Sequence, residues 1–446
     1  MFYTLGDYRD ICIDVEDDVA DALEKSVYKD SSGEEKSKMT IKQLSKLIEQ
    51  FLQNSGDNKE SASVKKPGTP PTTPKDWWDN NAKHIWRGMI CALTYKDNEA
   101  KEQPPEVDQK VRAQLWDEEG KKPKPPQYQY TEVKLEETTD GQRTNNQPTK
   151  LSDFVKIPTY FRYLEEWGET FCFERTKRLD QIYEDCKVGE NDRKNGNKKC
   201  SGYGEDCEDQ LEDEPTNVPS LLCPGCGIEC RKYRKWINTK KTEFEKQKNA
   251  YEEQQKKCKE ESEGGGNGFC KTLTTSTTAA AFLKTLGSCK KDNENGEGNK
   301  IIFDDKGDTF KHTQYCAPCS RFTVNCKNVN CDKTKGNNCN GIKVITVNNI
   351  ENQGISIGNV DMVVSDKDAN GFKDVLNECA GANIFKGIRK EQWKCAKVCG
   401  YVVCKTEKEN RKANNEKHII TIKALLHRWL EYFLEDYNKI NKKLKT

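Results

Sequence analysis

The sequence predicts a mainly α protein, built as disulfide-pinned helical bundles with a little irregular β. Three observations carry this. Along Pro158–Cys186, Tyr160, Leu164, Trp167 and Phe171 recur at steps of four, three and four, and Leu179, Ile182 and Cys186 resume the stripe after a charged interval. Cys230, Ile237, Phe244, Tyr251 and Cys258 follow at a strict period of seven. The chain also carries 21 cysteines in 446 residues with no regular ligand repeat, which points to an oxidising, extracellular setting.

Composition fits long solvated helices around narrow aromatic cores. Only 33% of residues are hydrophobic against 33% charged, and mean hydropathy is −0.98. The 8 Trp, 16 Tyr and 15 Phe supply cores that a disordered chain lacks. Net charge is +1, from 74 basic and 73 acidic residues, so no global field draws the protein to nucleic acid. There is no signal peptide and no run of about 18 apolar residues, so this stretch neither targets itself nor spans a membrane. With a secreted-type cysteine load, that predicts an excised piece of something larger. No asparagine lies in an Asn-x-Ser/Thr sequon, so N-glycosylation is either engineered out or of little weight in the source organism.

In chain order, Met1–Ile13 opens on aromatics without a cap. Val15–Tyr28 and Thr40–Leu52 read as helices, the second with Ile41, Leu44, Leu47, Ile48, Phe51 and Leu52 on one face. Asn54–Lys75 has linker composition. Lys75–Tyr95 sets Trp78, Ile85, Met89 and Leu93 at helical spacing. Trp78 and Trp86 are expected in the core against the Pro158 helix, with Trp77 at a partly exposed edge. Lys121–Tyr130 and Thr138–Thr149 are irregular, with a short extended piece between them. The organising helix follows, opened by Pro158 in its first turn. Lys187–Pro219 is polar and cysteine-punctuated. Cys223–Glu261 carries the seven-residue repeat, and Thr275–Leu286 is another helix. Asp292–Lys300 is a loop, and Tyr315–Cys339 is cysteine-rich without periodicity. Ile342–Ser365 leans to β, Phe372–Phe385 to helix, and Trp393–Cys404 is cysteine-dense. The final helix, Ile419–Leu444, lines up Ile419, Ile422, Leu426, Trp429, Phe433, Tyr437 and Ile440.

Three patterns carry potential chemistry. Cys223-Pro-Gly-Cys226 and Cys316-Ala-Pro-Cys319 have zinc-ligand or redox spacing. The sulfur load favours a plainer reading, in which each cysteine bonds elsewhere. His84, His312, His418 and His427 sit in no HExxH-like arrangement, and neither a nucleophile nor a paired carboxylate motif accompanies them, so no catalytic site is expected. Lys439, Lys442, Lys443 and Lys445 could meet a sulfated glycan, although lysines in a last turn also complement the helix dipole. No metal and no cofactor is expected.

The stretches DYRDI (7–11), WRGMICALTY (86–95), TYFRYLEEWGETFCFER (159–175), CRKYRKWI (230–237), IFKGIRKEQWKC (384–395), VCGYVVC (398–404) and RWLEYFLEDYNKI (428–440) resemble the Duffy-binding-like domains. These are adhesion modules of the Plasmodium falciparum erythrocyte membrane protein 1 family. YQYTEVKLEE (128–137) and VCGYVVCK (398–405) are most similar to the beta class. The resemblance implies the Duffy-binding-like fold: residues 1–75 as the remainder of a first, mixed subdomain, 76–222 as a helical-bundle subdomain and 223–446 as a C-terminal helical subdomain. DYRDI usually lies some way inside such a domain, so the start of the first subdomain is expected to be missing here.

The resemblance also implies a non-enzymatic ectodomain on the infected erythrocyte. Its partner would be a host cell-surface protein, with intercellular adhesion molecule 1 on endothelium favoured. The alternatives are a sulfated glycosaminoglycan or a purely structural and antigenic role beside neighbouring domains of the parent protein. The receptor-associated Asn-Glu-Gly-Gly-Pro-like run is replaced here by NNIENQGISIGNV (348–360), so no receptor motif carries over.

The residues themselves suggest a site. Ile342–Ser365 is low in charge and alternates apolar with polar residues, as protein-binding surfaces do at their centre. Ile345, Val347, Asn348, Asn349, Ile350, Asn352, Ile355 and Ile357 are the candidate contacts; a buried hairpin covering the C-terminal helices is the competing reading. Cys91, Cys172, Cys186, Cys226, Cys230, Cys258, Cys395, Cys399 and Cys404 are the disulfide candidates. Cys230 and Cys258 cannot bond each other on one uninterrupted helix, because 28 residues at 1.5 Å each span about 42 Å against a Cα limit near 7 Å.

Overall fold

The computed structural model of the chain describes residues 1–13, 41–54, 73–96, 104–124, 126–135, 149–189, 199–208, 211, 222–263, 269–270, 273, 276–289, 301–303, 309–326, 339, 341–365, 384–385, 387–406 and 418–444. The helix expected at 15–28, most of that at 372–385, most of the 54–75 linker and the loop at 292–300 lie outside them. The fold is mainly helical. Contacts divide the chain into two units. The first is Met1–Phe173 with Thr242–Asn295 and Asn299–Thr309; the second is Glu174–Lys241 with Gly296–Gly298 and Phe310–Thr446.

In the first unit, α1 (Phe2–Ile13) packs against α2 (Ile41–Asn54) and α3 (Pro74–Ala92). Thr73 caps α3, its hydroxyl accepting from the Asp76 N–H at 3.1 Å, and Pro74 fills the first turn. Trp78, Ala82, Trp86 and Ile90 are buried at a spacing of four, and Trp77 is half-buried. Trp86 stacks on Phe2 at 5.9 Å and donates its indole N–H to the Tyr128 carbonyl at 2.7 Å. Trp86→Ala is expected to lower stability by about 3–5 kcal/mol, read from denaturant unfolding. An unchanged midpoint would refute this packing. On α2 the predicted face is split: Leu44, Leu47 and Phe51 are exposed, Ile48 and Leu52 are half-buried, and Ser45 is buried.

The centre of this unit is aromatic. After α4 (Leu151–Phe154), it joins the first part of α5 (Thr159–Asp185) to the last part of α6 (Pro224–Glu263) and to α7 (Ala279–Leu283). Tyr160, Phe161, Tyr251 and Phe282 meet edge-on or tilted, and Trp167 stacks on Phe171 at 5.2 Å and on Phe244 at 6.2 Å. Buried hydroxyls are satisfied: Tyr160 donates to the Gln247 carbonyl at 2.7 Å and Tyr251 to that of Ser276 at 2.6 Å. Burial raises both phenols well above their ordinary range, so they serve as neutral donors.

The second unit carries the larger surprise. Where little irregular β is expected, a regular antiparallel sheet stands. Its strands are β1 (Ile355–Val364), β2 (Arg389–Val398), β3 (Tyr401–Thr406) and β4 (Ile419–Thr421), in the spatial order β4-β3-β2-β1. One face is covered by α8 (Val347–Asn352), where Ile345, Val347, Ile350, Ala396, Val398, Val403 and Ile419 form one core. The other is covered by α9 (Ile422–Leu444), with Met362, Val364, Trp393, Cys395, Cys404, Ile420 and Leu425 between them. Ile419 therefore belongs to a strand, and the last helix begins three residues later than its periodicity predicts.

Sulfur pins these parts. In the first unit Cys172 bonds Cys289, and Cys258 bonds Cys270. In the second they include Cys186–Cys226, Cys200–Cys223, Cys207–Cys319, Cys230–Cys316, Cys339–Cys399 and Cys395–Cys404, the last a pair directly opposed across β2 and β3. Both Cys230 and Cys258 lie on α6, and each bonds a different segment, as its length requires. Non-reduced peptide mapping should recover Cys230–Cys316; a Cys230–Cys258 link would contradict the 40-residue helix. Cys91 is the correction: it is a free thiol. Ile90 takes the buried position in that turn of α3, and Cys91, about 100° further round, is left half-exposed.

Candidate functional site

The candidate stretch splits into an inside and an outside. Val344–Ile345 pairs with Phe322–Thr323, and then Thr346 turns the chain into α8. Asn349 Oδ1 accepts the Thr346 backbone N–H at 2.8 Å, a reciprocal cap that fixes this short helix. Ile345, Val347 and Ile350 are thereby carried into the core at 0%, 4% and 2% exposure, so these three are not receptor contacts. Asn348 and Asn352 are exposed and Asn349 half-buried. Gly354 then passes close over β2, where a Cβ would come within 2.7 Å of the Ala396 Cβ.

Beyond it, Ile355 and Ile357 stand 57% and 55% exposed on β1, an edge strand. The pairing of β1 with β2 shifts between Cys395 and Ala396, so Ile357 falls at the irregularity beside Gly358, whose φ is +129°. Among the described residues no strand pairs with the outer side of β1. Of the eight candidate residues, the structure therefore leaves Asn348, Asn352, Ile355 and Ile357 exposed; further along β1, Asp361 pairs with Lys390 of β2 at 2.6 Å.

The cysteine motifs carry no chemistry. Cys223 and Cys226 bond Cys200 and Cys186; Cys316 and Cys319 bond Cys230 and Cys207. Among the described residues two sets, Cys186–Cys226–Cys230 and Cys200–Asp206–Cys223, hold their donor atoms within 4.8 Å, as metal sites do. Each sulfur in them is in a disulfide and has no thiolate to offer. His427 lies 3.5 Å from Glu431, and His312 stacks on Tyr233.

A second surface was not read from the sequence as one. On α9 the stripe expected to be core faces out: Leu426, Trp429, Leu430, Phe433, Leu434 and Tyr437 are each 49–55% exposed, followed by Ile440 and Leu444. The buried side holds Ala424, Leu425 and Arg428 instead. Ion pairs from Glu431 to Arg231 and from Glu435 to Lys235 tie that side to α6. Among the described helices none is long and apolar enough to cross a membrane.

Comparison with known proteins places this architecture. The family model of the Duffy binding domain matches residues 1–166, and that of the Duffy-binding-like domain, C-terminal subdomain, matches 166–314. A third, Cysteine-Rich Interdomain Region 1 gamma, matches 358–408, the stretch that forms β1 to β3. No curated protein sequence matches the chain. The solved NTS-DBL1-alpha and CIDR-gamma double domain of the PfEMP1 protein of the Plasmodium falciparum varO strain is 22% identical, with a TM-score of 0.51 over 98% of this chain and 57% of that one. Plasmodium falciparum erythrocyte binding antigen 140 is 16% identical over 70% of this chain and 32% of that one, with a TM-score of 0.31. The two Duffy-binding models run end to end through 1–314, well over half the sequence, on a helical fold pinned by disulfides, and the chain belongs to the Duffy-binding-like family.

Proposed function

We propose that the chain is a non-enzymatic extracellular adhesion module of an infected-erythrocyte surface protein, binding a host cell-surface protein through the exposed edge of β1. Intercellular adhesion molecule 1 is the favoured receptor. The observation that carries the site is the pair Ile355 and Ile357, two large apolar side chains more than half open on an unpaired strand edge. Exposed asparagines on α8 precede them in the chain, polar neighbours of the kind found at the border of a dry contact centre. The beta-class reading rests partly on VCGYVVCK, which lies inside the stretch matching the interdomain region, so the surface carries the proposal rather than the class.

The glycosaminoglycan alternative is weaker on geometry. Lys439 already pairs with Asp436 at 3.1 Å and donates to Ser365 at 3.0 Å. A lysine–sulfate contact would also fade at high salt, whereas an apolar one would persist.

The test is surface plasmon resonance against intercellular adhesion molecule 1 with Ile355→Lys and Ile357→Lys. Each is expected to weaken binding about tenfold or more at an unchanged melting temperature. Ile350→Lys, in the core, should instead lose the fold. Unchanged binding by both edge variants would overturn the site.

A further inference from the structure

In the oxidised protein these cysteines are all taken up in disulfides, but three of the bonds lie end to end. Cys223 bonds Cys200, Cys226 bonds Cys186 and Cys230 bonds Cys316, so the start of α6 presents three sulfurs in succession. The Cys186 and Cys230 Sγ atoms are 4.0 Å apart, and that of Cys226 lies within 4.8 Å of both. We propose that the three bonds form a thiol–disulfide relay: a dithiol reductant attacks Cys200–Cys223, and the opening passes along α6 to free Cys316. The inference is independent of the receptor site on β1.

The entry bond is the most open of the three. Cys223 is 4% exposed, against 2% or less for the other five, and Leu222 beside it is 50% exposed. A small opening at the helix start therefore uncovers the sulfur. The dithiol's first sulfur attacks Cys223, and Cys200 leaves as a thiolate. Its second sulfur then displaces Cys223, and the reductant closes into its own disulfide. Cys223 caps α6, its carbonyl accepting the Gly227 N–H at 3.5 Å, so the positive helix end favours its thiolate. Asp206 Oδ2, 3.9 Å from Cys223 Sγ, is placed to take the thiol proton, and Lys187 at 3.8 Å offsets that carboxylate's charge.

Each later step exchanges one bond for another. The Cys223 thiolate attacks Cys226, three residues further into the same helix start; Cys223–Cys226 forms and Cys186 leaves. Cys186 then attacks Cys230 across the 4.0 Å gap; Cys186–Cys230 forms, and Cys316 leaves and is protonated from solvent. Two electrons have entered, three disulfides have become two, and the thiols stand at Cys200 and Cys316. Entropy drives the relay forward: bonds closing 23, 40 and 86 residues give way to one within a helical turn and one spanning 44. The end of α5 stays tied to α6, whereas the turn at Cys200 is released from it, with Cys207–Cys319 still holding the turn's other end. That turn carries Glu205, which accepts the Thr421 N–H at 2.8 Å, and Tyr203, which holds Arg428. The relay thus loosens the support of β4 and α9.

The test is limited reduction of the folded whole chain with dithiothreitol, quenched with iodoacetamide and mapped by mass spectrometry. Labels should appear together at Cys200 and Cys316, beside Cys12 and Cys91, which are thiols already. Cys223 should be closed on Cys226, and Cys186 linked to Cys230. In Cys186→Ala with Cys226→Ala, which removes the middle bond, labelling at Cys316 should fall about tenfold or more, with Cys200 and Cys223 labelled together instead. The map of the unsubstituted chain does not depend on that variant folding. Labels resting there on Cys200 and Cys223, or reduction beginning at a bond outside the three, would overturn the proposal.

Discussion

Arg428→Ala is expected to destabilise the second unit by about 3–5 kcal/mol, the cost of breaking a buried charge pair from one side. Arg428 is 8% exposed and lies under β2. It bonds Glu391 at 2.9 Å, the Tyr432 hydroxyl at 3.2 Å and the Tyr203 hydroxyl. Its guanidinium also sits over the rings of Tyr203 at 4.8 Å, Tyr432 at 5.3 Å and Trp393 at 6.0 Å. Burial alone would lower its pKa; Tyr203, Tyr432 and Glu391 together outweigh that and hold it up. Removing the guanidinium strands Glu391, whose side chain is 11% exposed, and opens a void among three aromatics. Arg428→Lys should rescue only part, since an ammonium cannot make the same planar set of contacts. Guanidinium denaturation, together with the near-ultraviolet signal of Trp393, reports the outcome. A loss under about 1 kcal/mol would mean the pair is no better than a surface one.

That residue also shows where sequence reading stops. Periodicity establishes which residues share a helix face, not which face meets the core. The α6 repeat was fully legible because Cys230, Ile237, Phe244, Tyr251 and Cys258 are all buried. The same reasoning applied to α9 selects a stripe that faces out, because the inner face is built from Arg428, Tyr432 and two small or aliphatic residues. A buried arginine among tyrosines leaves no apolar signature. The sheet was obscured for a related reason. Along β2, Trp393 and Cys395 face α9 while Ala396 and Val398 face α8, so a strand covered on both sides has no polar face to alternate with, and cysteine reads as bonding rather than as core.

The candidate site was legible in place and misread in part. Low charge and alternation located the stretch, and β1 does stand at an edge. Thr346-Val-Asn-Asn349 is a capping pattern that marks a helix start, and reading it would have put Val347 and Ile350 on the inner side of a turn instead of along a strand. Exposure at Ile355 and Ile357 is a property of the sheet order, which no local pattern contains.

Asp10→Ala should cost the first unit a similar amount, about 3–5 kcal/mol, and the cause is readable in the DYRDI stretch only once the partner is known. Asp10 and Arg162 are 3% and 1% exposed and form an ion pair between α1 and α5. Thr159 donates to Asp10 at 3.1 Å, and Arg162 donates to the Ile157 carbonyl at 3.3 Å. Gly6 lets the guanidinium lie across α1, since a Cβ there would come within 2.3 Å of Nε. Burial pushes the Asp10 carboxyl up, and the charge of Arg162 opposes it, helped by the Thr159 hydroxyl and by Arg9 at 3.9 Å. Removing Asp10 leaves the arginine charged and unpaired in the interior. Replacing both, as Asp10→Leu with Arg162→Met, removes the desolvation cost along with the attraction and should recover most of the loss. The double-mutant cycle is measured by denaturant unfolding. If the double variant is as unstable as the sum of the two single ones, the residues do not act as a pair and this account of the α1–α5 contact is wrong.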